Sequence, residues 1–278
     1  MRAVVLDADG RPRLAELPEP ETPLEVLACG LCGSDVEKLG RAPAGTVLGH
    51  EVVARAADGR RLALVHHRPC GECGRCRAGH ETTCERFSAP TIVPGGFAER
   101  VETAEGVELV DALDDARSTM VEPLACVLRG AERVPRGRVL VIGNGFVGRL
   151  FGAVLARRGD DVFAADADPA RAGRAPDGPV DAAVVCARGA GADALEAVQP
   201  GGTVLVFADA GELPAELVYR RELTVVGSRS ATPESMRAAA ALLPDFDVPE
   251  PTVLALARFE EGLELFVRRQ VLKVVFVP

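Results

Sequence analysis

The sequence predicts an α/β protein in two parts, a β-rich part followed by a mostly parallel sheet. Three observations carry that reading. Up to about residue 126, short apolar runs alternate with Gly, Pro and charged turns, and few segments sustain a 3.6-residue period. From residue 127 onward strand-like runs alternate with helical ones, the pattern of a parallel sheet with crossover helices. Between the first such strand and its helix lies a glycine turn, GNGFVG at 143–148.

Taken in order, AVVL (3–6), PLEVLACG (23–30) and RLALV (61–65) read as strands of the first part. RVLVI, leading into the glycine turn, is a fully buried type of strand, and RLFGAVLARRG (149–159) is its helix. DVFAADAD (161–168), DAAVVCA (181–187), GTVLVFAD (202–209) and ELTVVGS (222–228) supply four more strands. PESMRAAAALL and FEEGLELFVRR follow as helices, and VLKVVFV closes the chain as a strand.

Gly143 allows the tight turn, Gly145 lets a pyrophosphate approach the backbone, and Gly148 lets helix and strand pack closely. Free N–H groups at the helix start favour an anion there. Asp166, about 20 residues further on, stands where a carboxylate accepts from the adenosine ribose hydroxyls, which favours NAD over NADP. Only about a dozen residues separate this strand from the next, too few for another strand and helix. The sheet is therefore expected to lack a strand beside the adenine pocket, with weak cofactor binding or a tolerant adenine site as the consequence.

Composition narrows the class. A formal charge of −9 and pI near 5.1 argue against nucleic acid or an anionic membrane as partner. No apolar run approaches the ~18–20 residues of a membrane span, and the start, MRAVVLDADG, lacks a signal-peptide pattern. The expected location is cytoplasmic, where thiols stay reduced and clustered cysteines point to metal or catalysis.

Cys70, Cys73, Cys76 and Cys84 have the spacing C-x2-C-x2-C-x7-C. Four thiolates so placed can wrap one tetrahedral zinc and leave no open position; an iron–sulfur cluster is the competing reading. His80 reads as an exposed polar residue of that loop, and His66 and His67 as polar residues at a strand end. A quieter set is spread out: Cys29, Cys32, Ser34 and Asp35 in ACGLCGSD, His50 and Glu51 in GHE, and Glu122 in MVEPLAC. One Cys, one His and one or two carboxylates can make a zinc site with a position open to water or substrate. Cys29 and Cys126 read as small buried residues.

CGSD, GHE, the CGECGRC…C lobe, GGFAE (95–99), EPLA (122–125) and GNGFVG together resemble the zinc-dependent medium-chain dehydrogenases, in their sorbitol (polyol) dehydrogenase-like branch. The resemblance covers nearly the whole chain, a compact version of that family. It implies a GroES-like catalytic domain (1–126 and 230–278) carrying a structural zinc lobe (about 68–86), and a truncated Rossmann domain (127–229) binding NAD. It implies two Zn2+ per chain. Cys32 and His50 ligate the catalytic one, with Glu51 or Glu122 as third ligand, and the four lobe cysteines hold the other. Asp35 orients His50, Ser34 takes the substrate hydroxyl proton, and Lys273 contacts the cofactor pyrophosphate. Glu37 stands where many relatives place a relay histidine, as a base or as an exposed charge. The implied activity is hydride transfer between a secondary alcohol or polyol and NAD. The alternatives are a different substrate class (aldose, cyclitol or amino alcohol) or a catalytically degenerate zinc-binding homologue. A homodimer or homotetramer is expected, with ELTVVGS pairing edge to edge across a twofold axis.

Overall fold

The structure, a computed structural model, describes residues 1–103, 105–110 and 113–278. It divides into two units, Met1–Ala125 with Ala231–Pro278, and Cys126–Ser230.

In the first unit, β1 (Arg2–Leu6) and β2 (Pro12–Glu16) form an antiparallel hairpin. The larger sheet holds β3 (Leu24–Gly30), β4 (Glu51–Arg55), β5 (Arg61–Leu64), β6 (Ile92–Val93), β7 (Arg100–Thr103) and β8 (Gly106–Glu108). In the second unit β9 (Arg138–Ile142), β10 (Asp161–Ala165), β11 (Val180–Val185), β12 (Val198–Val206) and β13 (Thr224–Gly227) make one parallel sheet. The chain then returns to the first unit with β14 (Thr252–Ala255) and β15 (Val274–Val277), and the larger sheet runs β14-β15-β3-β4-β5-β8.

Each sheet is built as its side chains require. Leu62, Leu64, Val52, Ala54, Val26 and Phe276 of the first unit bury one shared core with Phe97 and Phe259. The aromatic pair Phe97 and Phe276 meets edge to face at 5.7 Å, a favoured arrangement for two rings. In the second unit Val139, Leu140, Val141 and Ile142 of β9 are all buried, as a strand covered on both faces must be. The helix Phe146–Arg158 follows and ends at Gly159 with φ +92°, a left-handed cap that satisfies the last carbonyls. Thr232 and Ser235 cap the helix Pro233–Leu242 reciprocally, with Pro233 in its first turn.

The strand order β10-β9-β11-β12-β13 shows the expected omission: among the described residues no strand lies beyond β10. A loop does that job. Ala164 N–H donates to the Arg174 carbonyl and Gly173 N–H to the Ala164 carbonyl, both at 3.1 Å, and the Arg174 guanidinium sits 4.1 Å above the Phe163 ring. Two main-chain bonds and a charged cover protect an edge that would otherwise be open to pairing. The short strands β2, β4 and β14 carry little periodicity of their own and are additions to the sequence reading; pairing with neighbours makes them strands.

No helix among the described residues is long and apolar enough to cross a membrane.

Candidate active site

Among the described residues two clusters of metal-ligating side chains form, both in the first unit. In the lobe, the sulfurs of Cys70, Cys73, Cys76 and Cys84 all lie within 4.8 Å of one another, and none of the eight cysteines of the chain is in a disulfide. Cys70 and Cys76 sulfurs are 4.0 Å apart, near the edge of about 3.8 Å that tetrahedral zinc–sulfur bonds of about 2.3 Å set. Backbone amides point into the group: Cys73 N–H onto Cys70 Sγ, Cys76 N–H onto Cys73 Sγ, and Cys70 and Arg86 N–H onto Cys84 Sγ, at 3.3–3.4 Å. Main-chain donors, Glu85 and Cys76 foremost, pull the Cys73 thiol down to about 6, and that of Cys70 does the same in direction for Cys84. Burial pushes Cys76 up to about 12. Four convergent sulfurs with amides aimed at them fit a bound thiophilic cation and leave it no open position. His67 ties this lobe to the end of β5: its Nε2 is 3.0 Å from the Glu81 carbonyl, and its ring lies 4.0 Å from that of Phe87.

The second cluster joins Cys32, His50 and Glu51, one ligand atom of each lying within 4.8 Å of the others. The turn after β3 and the start of β4 bring them together. Cys32 caps the short helix Gly33–Lys38, and Asp35 in its first turn is almost wholly buried. That carboxylate accepts from Cys32 N–H (3.1 Å) and Gly49 N–H (3.3 Å) and lies 3.1 Å from His50 Nδ1. One buried acid thus fixes the loop bearing Cys32, the loop bearing His50 and the tautomer of His50, whose Nε2 is left for a ligand role. Burial opposes a charge on His50, yet Asp35 and the Cys32 sulfur outweigh it and hold the ring's pKa well above the ordinary value without metal. The Ser34 hydroxyl donates to Cys32 Sγ at 3.4 Å. Glu37 is exposed, further along the same helix.

Of the two glutamates, Glu51 belongs to the trio and Glu122 does not. Glu122 Oε1 is instead 3.4 Å from His66 Nδ1, and the His66 ring lies 5.1 Å from that of His50. Burial and the nearby His50 push His66 down to about 3, so it is neutral at pH 7. Its neighbours make His66 part of the site's wall, a place that its position at a strand end in the sequence did not disclose.

Lys273, expected at the cofactor pyrophosphate, lies beside Glu51 and the Leu31 carbonyl. It is 3% exposed; its ammonium is ion-paired with Glu51 Oε2 and donates to the Leu31 carbonyl at 3.1 Å. Burial works against the ammonium, and Glu51 followed by Cys32 more than offsets that, raising its pKa. For Glu51, burial raises the carboxyl and Lys273 pulls it back. Space for this carboxylate comes from Gly30, where a β-carbon would collide with it.

In the second unit the glycine turn has the expected shape. Gly143 has φ +98°, and a β-carbon there would lie 2.7 Å from Ala187 N. A β-carbon on Gly145 would meet nothing within 4 Å, so the space over the turn is open to a phosphate. One on Gly148 would collide with the Gly143 carbonyl oxygen. We expect Gly148→Ala to destabilise the protein by about 1–3 kcal/mol, read as a lowered midpoint in urea unfolding. Asp166, at the end of β10, accepts from Asn144 N–H (2.8 Å) and Asp168 N–H (2.9 Å).

Residues 19–112 match the alcohol dehydrogenase GroES-like domain family. D-altritol 5-dehydrogenase of Agrobacterium fabrum is 30% identical over 97% of this chain and 96% of its own length. L-galactonate-5-dehydrogenase of Escherichia coli is 27% identical over 79% of each chain. Sorbitol dehydrogenase of Bacillus subtilis is 25% identical over 62% of this chain and 57% of its own. Among solved structures, alcohol dehydrogenase TADH from Thermus sp. ATN1 superposes over all of both chains with a TM-score of 0.83 at 25% identity.

Proposed function

Because this chain belongs to the zinc-type medium-chain alcohol dehydrogenases, in their sorbitol dehydrogenase-like branch, we propose that it oxidises a secondary alcohol group of a polyol, with Cys32, His50 and Glu51 holding the catalytic zinc and Cys70, Cys73, Cys76 and Cys84 a structural one. The observation that carries this reading is the trio itself, locked by the buried Asp35. Thiolate, imidazole and carboxylate are three ligands of the kinds a catalytic zinc takes, with a fourth position left for the alcohol.

Bound there, zinc supplies a Lewis acid that lowers the pKa of an alcohol. The protein's own residues do the rest. Asp35 keeps His50 Nδ1 protonated, so that Nε2 is the nitrogen presented to the metal. The Ser34 hydroxyl, beside Cys32, takes the proton that the substrate hydroxyl releases. Glu37, on the exposed side of the same helix, passes it to water. Lys273 holds Glu51 by an ion pair until metal or substrate competes for the carboxylate. A bound oxidised nicotinamide would supply the acceptor for the hydride of the alcohol carbon, and the proton of the hydroxyl would leave through Ser34. In the unit 127–229, Gly143, Gly145 and Gly148 would hold the dinucleotide, and Asp166 would favour NAD over NADP by accepting from the ribose hydroxyls. The relatives named for altritol, galactonate and sorbitol support an acyclic polyol or sugar acid as substrate.

Two expectations follow. Asp35→Asn lowers affinity for the catalytic zinc by about 10–100-fold and leaves the lobe metal in place, read by competition with a chelator. The open edge of β13 pairs with its copy in a homodimer, so sedimentation as a monomer at micromolar concentration would contradict that assembly. The function itself is tested by NAD reduction across a panel of polyols, simple secondary alcohols, aldoses and amino alcohols. Turnover on polyols supports it, and turnover confined to another class replaces the substrate assignment.

A further inference from the structure

The two adjacent histidines after β5 part ways. His67 turns to the lobe, where it meets the Glu81 carbonyl and the Phe87 ring. His66 turns to the trio: its ring lies 5.1 Å from that of His50 and 6.4 Å from that of His67. It stands beside Cys32, His50 and Glu51 without belonging to their set. The helix Val121–Ala131 brings Glu122, in its first turn, to the His66 ring, with Oε1 3.4 Å from Nδ1. The His66 side chain is 21% exposed, yet its Nδ1 is buried. The imidazole therefore meets solvent along the rest of its ring, away from Glu122.

The arrangement repeats that of Asp35 and His50. In each pair a buried carboxylate stands at Nδ1, which draws the ring proton there and makes Nε2 the acceptor. His50 turns that acceptor to the metal, whereas His66 flanks the place where the alcohol is held. An apolar side chain would close this wall equally well for a simple secondary alcohol. A polyol carries a second hydroxyl beside the carbon that gives up hydride, and once water is excluded that hydroxyl needs a partner. We propose that His66, oriented by Glu122, accepts a hydrogen bond from the hydroxyl next to the reacting carbon and so selects polyols over simple alcohols. The inference rests on the dehydrogenase reading and deepens it. A substrate without the hydroxyl leaves the polar edge of the imidazole unpaired in the closed site, and that penalty sets the discrimination.

Kinetics with 2,3-butanediol and 2-butanol test it, since the two differ by that one hydroxyl. They are measured on the zinc-loaded wild type, His66→Phe and His66→Leu, with metal analysis and thermal melting on the same samples. The wild type is expected to favour the diol in kcat/KM by at least about tenfold. His66→Phe keeps a ring and loses both nitrogens. It should lower kcat/KM for the diol by about tenfold or more and change that for 2-butanol by less than about threefold, with zinc content unchanged. Apart from turnover, the diol should raise the melting midpoint of the wild type and not that of His66→Phe. An equal loss on both alcohols, or an equal effect of the diol on both midpoints, would overturn the inference and leave His66 as a wall of the site. So would a wild-type preference for the diol below about tenfold. An enzyme that oxidises longer polyols and not the diol would also overturn it, because the recognised hydroxyl would then lie further out. If the wild type oxidises no alcohol, the dehydrogenase reading itself fails and takes this inference with it. Should His66→Phe not fold, His66→Leu is read in the same way.

Discussion

Cys32→Ser is expected to drop the zinc content from about two ions per chain to about one and to lower kcat/KM for a polyol by roughly a thousandfold. The first number follows from the separation of the two clusters. Cys32 belongs to the trio with His50 and Glu51, and the four lobe sulfurs form a set of their own around amides of residues 70–86. Loss of one thiolate leaves an imidazole and a carboxylate, too few to hold zinc against water. The second number follows from what the metal supplies. Charge stabilisation by a Lewis acid is worth several kcal/mol, and about 4 kcal/mol is about a thousandfold in rate. Folding is spared, because Cys32 sits at a helix start in a loop and the core of this unit lies around Phe97 and Phe276. Metal analysis and steady-state kinetics on the same sample check both numbers. Unchanged turnover with one zinc lost would remove the trio from the chemistry.

Lys273→Met should destabilise the zinc-free protein by about 3–5 kcal/mol, the cost of leaving one partner of a buried ion pair without the other. Lys273 and Glu51 are each nearly sealed from solvent, so water does not take over the role of the lost ammonium. The zinc-loaded protein should lose less, because the metal then supplies the positive charge that Glu51 requires. Urea unfolding with and without a chelator separates the two cases. An equal loss in both would show that Glu51 does not turn to the metal, and would leave Lys273 as a structural partner alone.

Much of this was legible in the sequence where spacing along the chain decides the geometry. The four lobe cysteines span fifteen positions, so a single loop brings them together. The glycine turn works through its own backbone and the strand and helix that flank it, and the dozen residues after Asp166 were too few to hide a strand. The trio of Cys32, His50 and Glu51 was within reach for a related reason: Cys32 follows β3 and His50 precedes β4 at the same end of two antiparallel neighbours, with Gly30 opposite Glu51, and the motifs around them resemble a known family. What spacing did not reveal are pairs made by the fold. Lys273 meets Glu51 because β15 runs beside β3, and β3 beside β4. His66 meets Glu122 because the end of β5 faces the helix Val121–Ala131. Asp35 was read as the residue that orients His50; that it also bonds the amides of Cys32 and Gly49 depends on its burial, which residue type does not state. The choice between Glu51 and Glu122 was open for the same reason, since both are acids near a strand or helix start and only the packed arrangement separates them.

The central claim is that zinc sits among Cys32, His50 and Glu51 as well as in the cysteine lobe. Anomalous scattering at the zinc edge, from crystals of the protein grown with zinc, tests it most directly. Two peaks per chain are predicted, one bonded to the four lobe sulfurs and one to Cys32 Sγ, His50 Nε2 and a Glu51 carboxylate oxygen. A single peak in the lobe, or a second peak away from Cys32 and His50, would contradict the account.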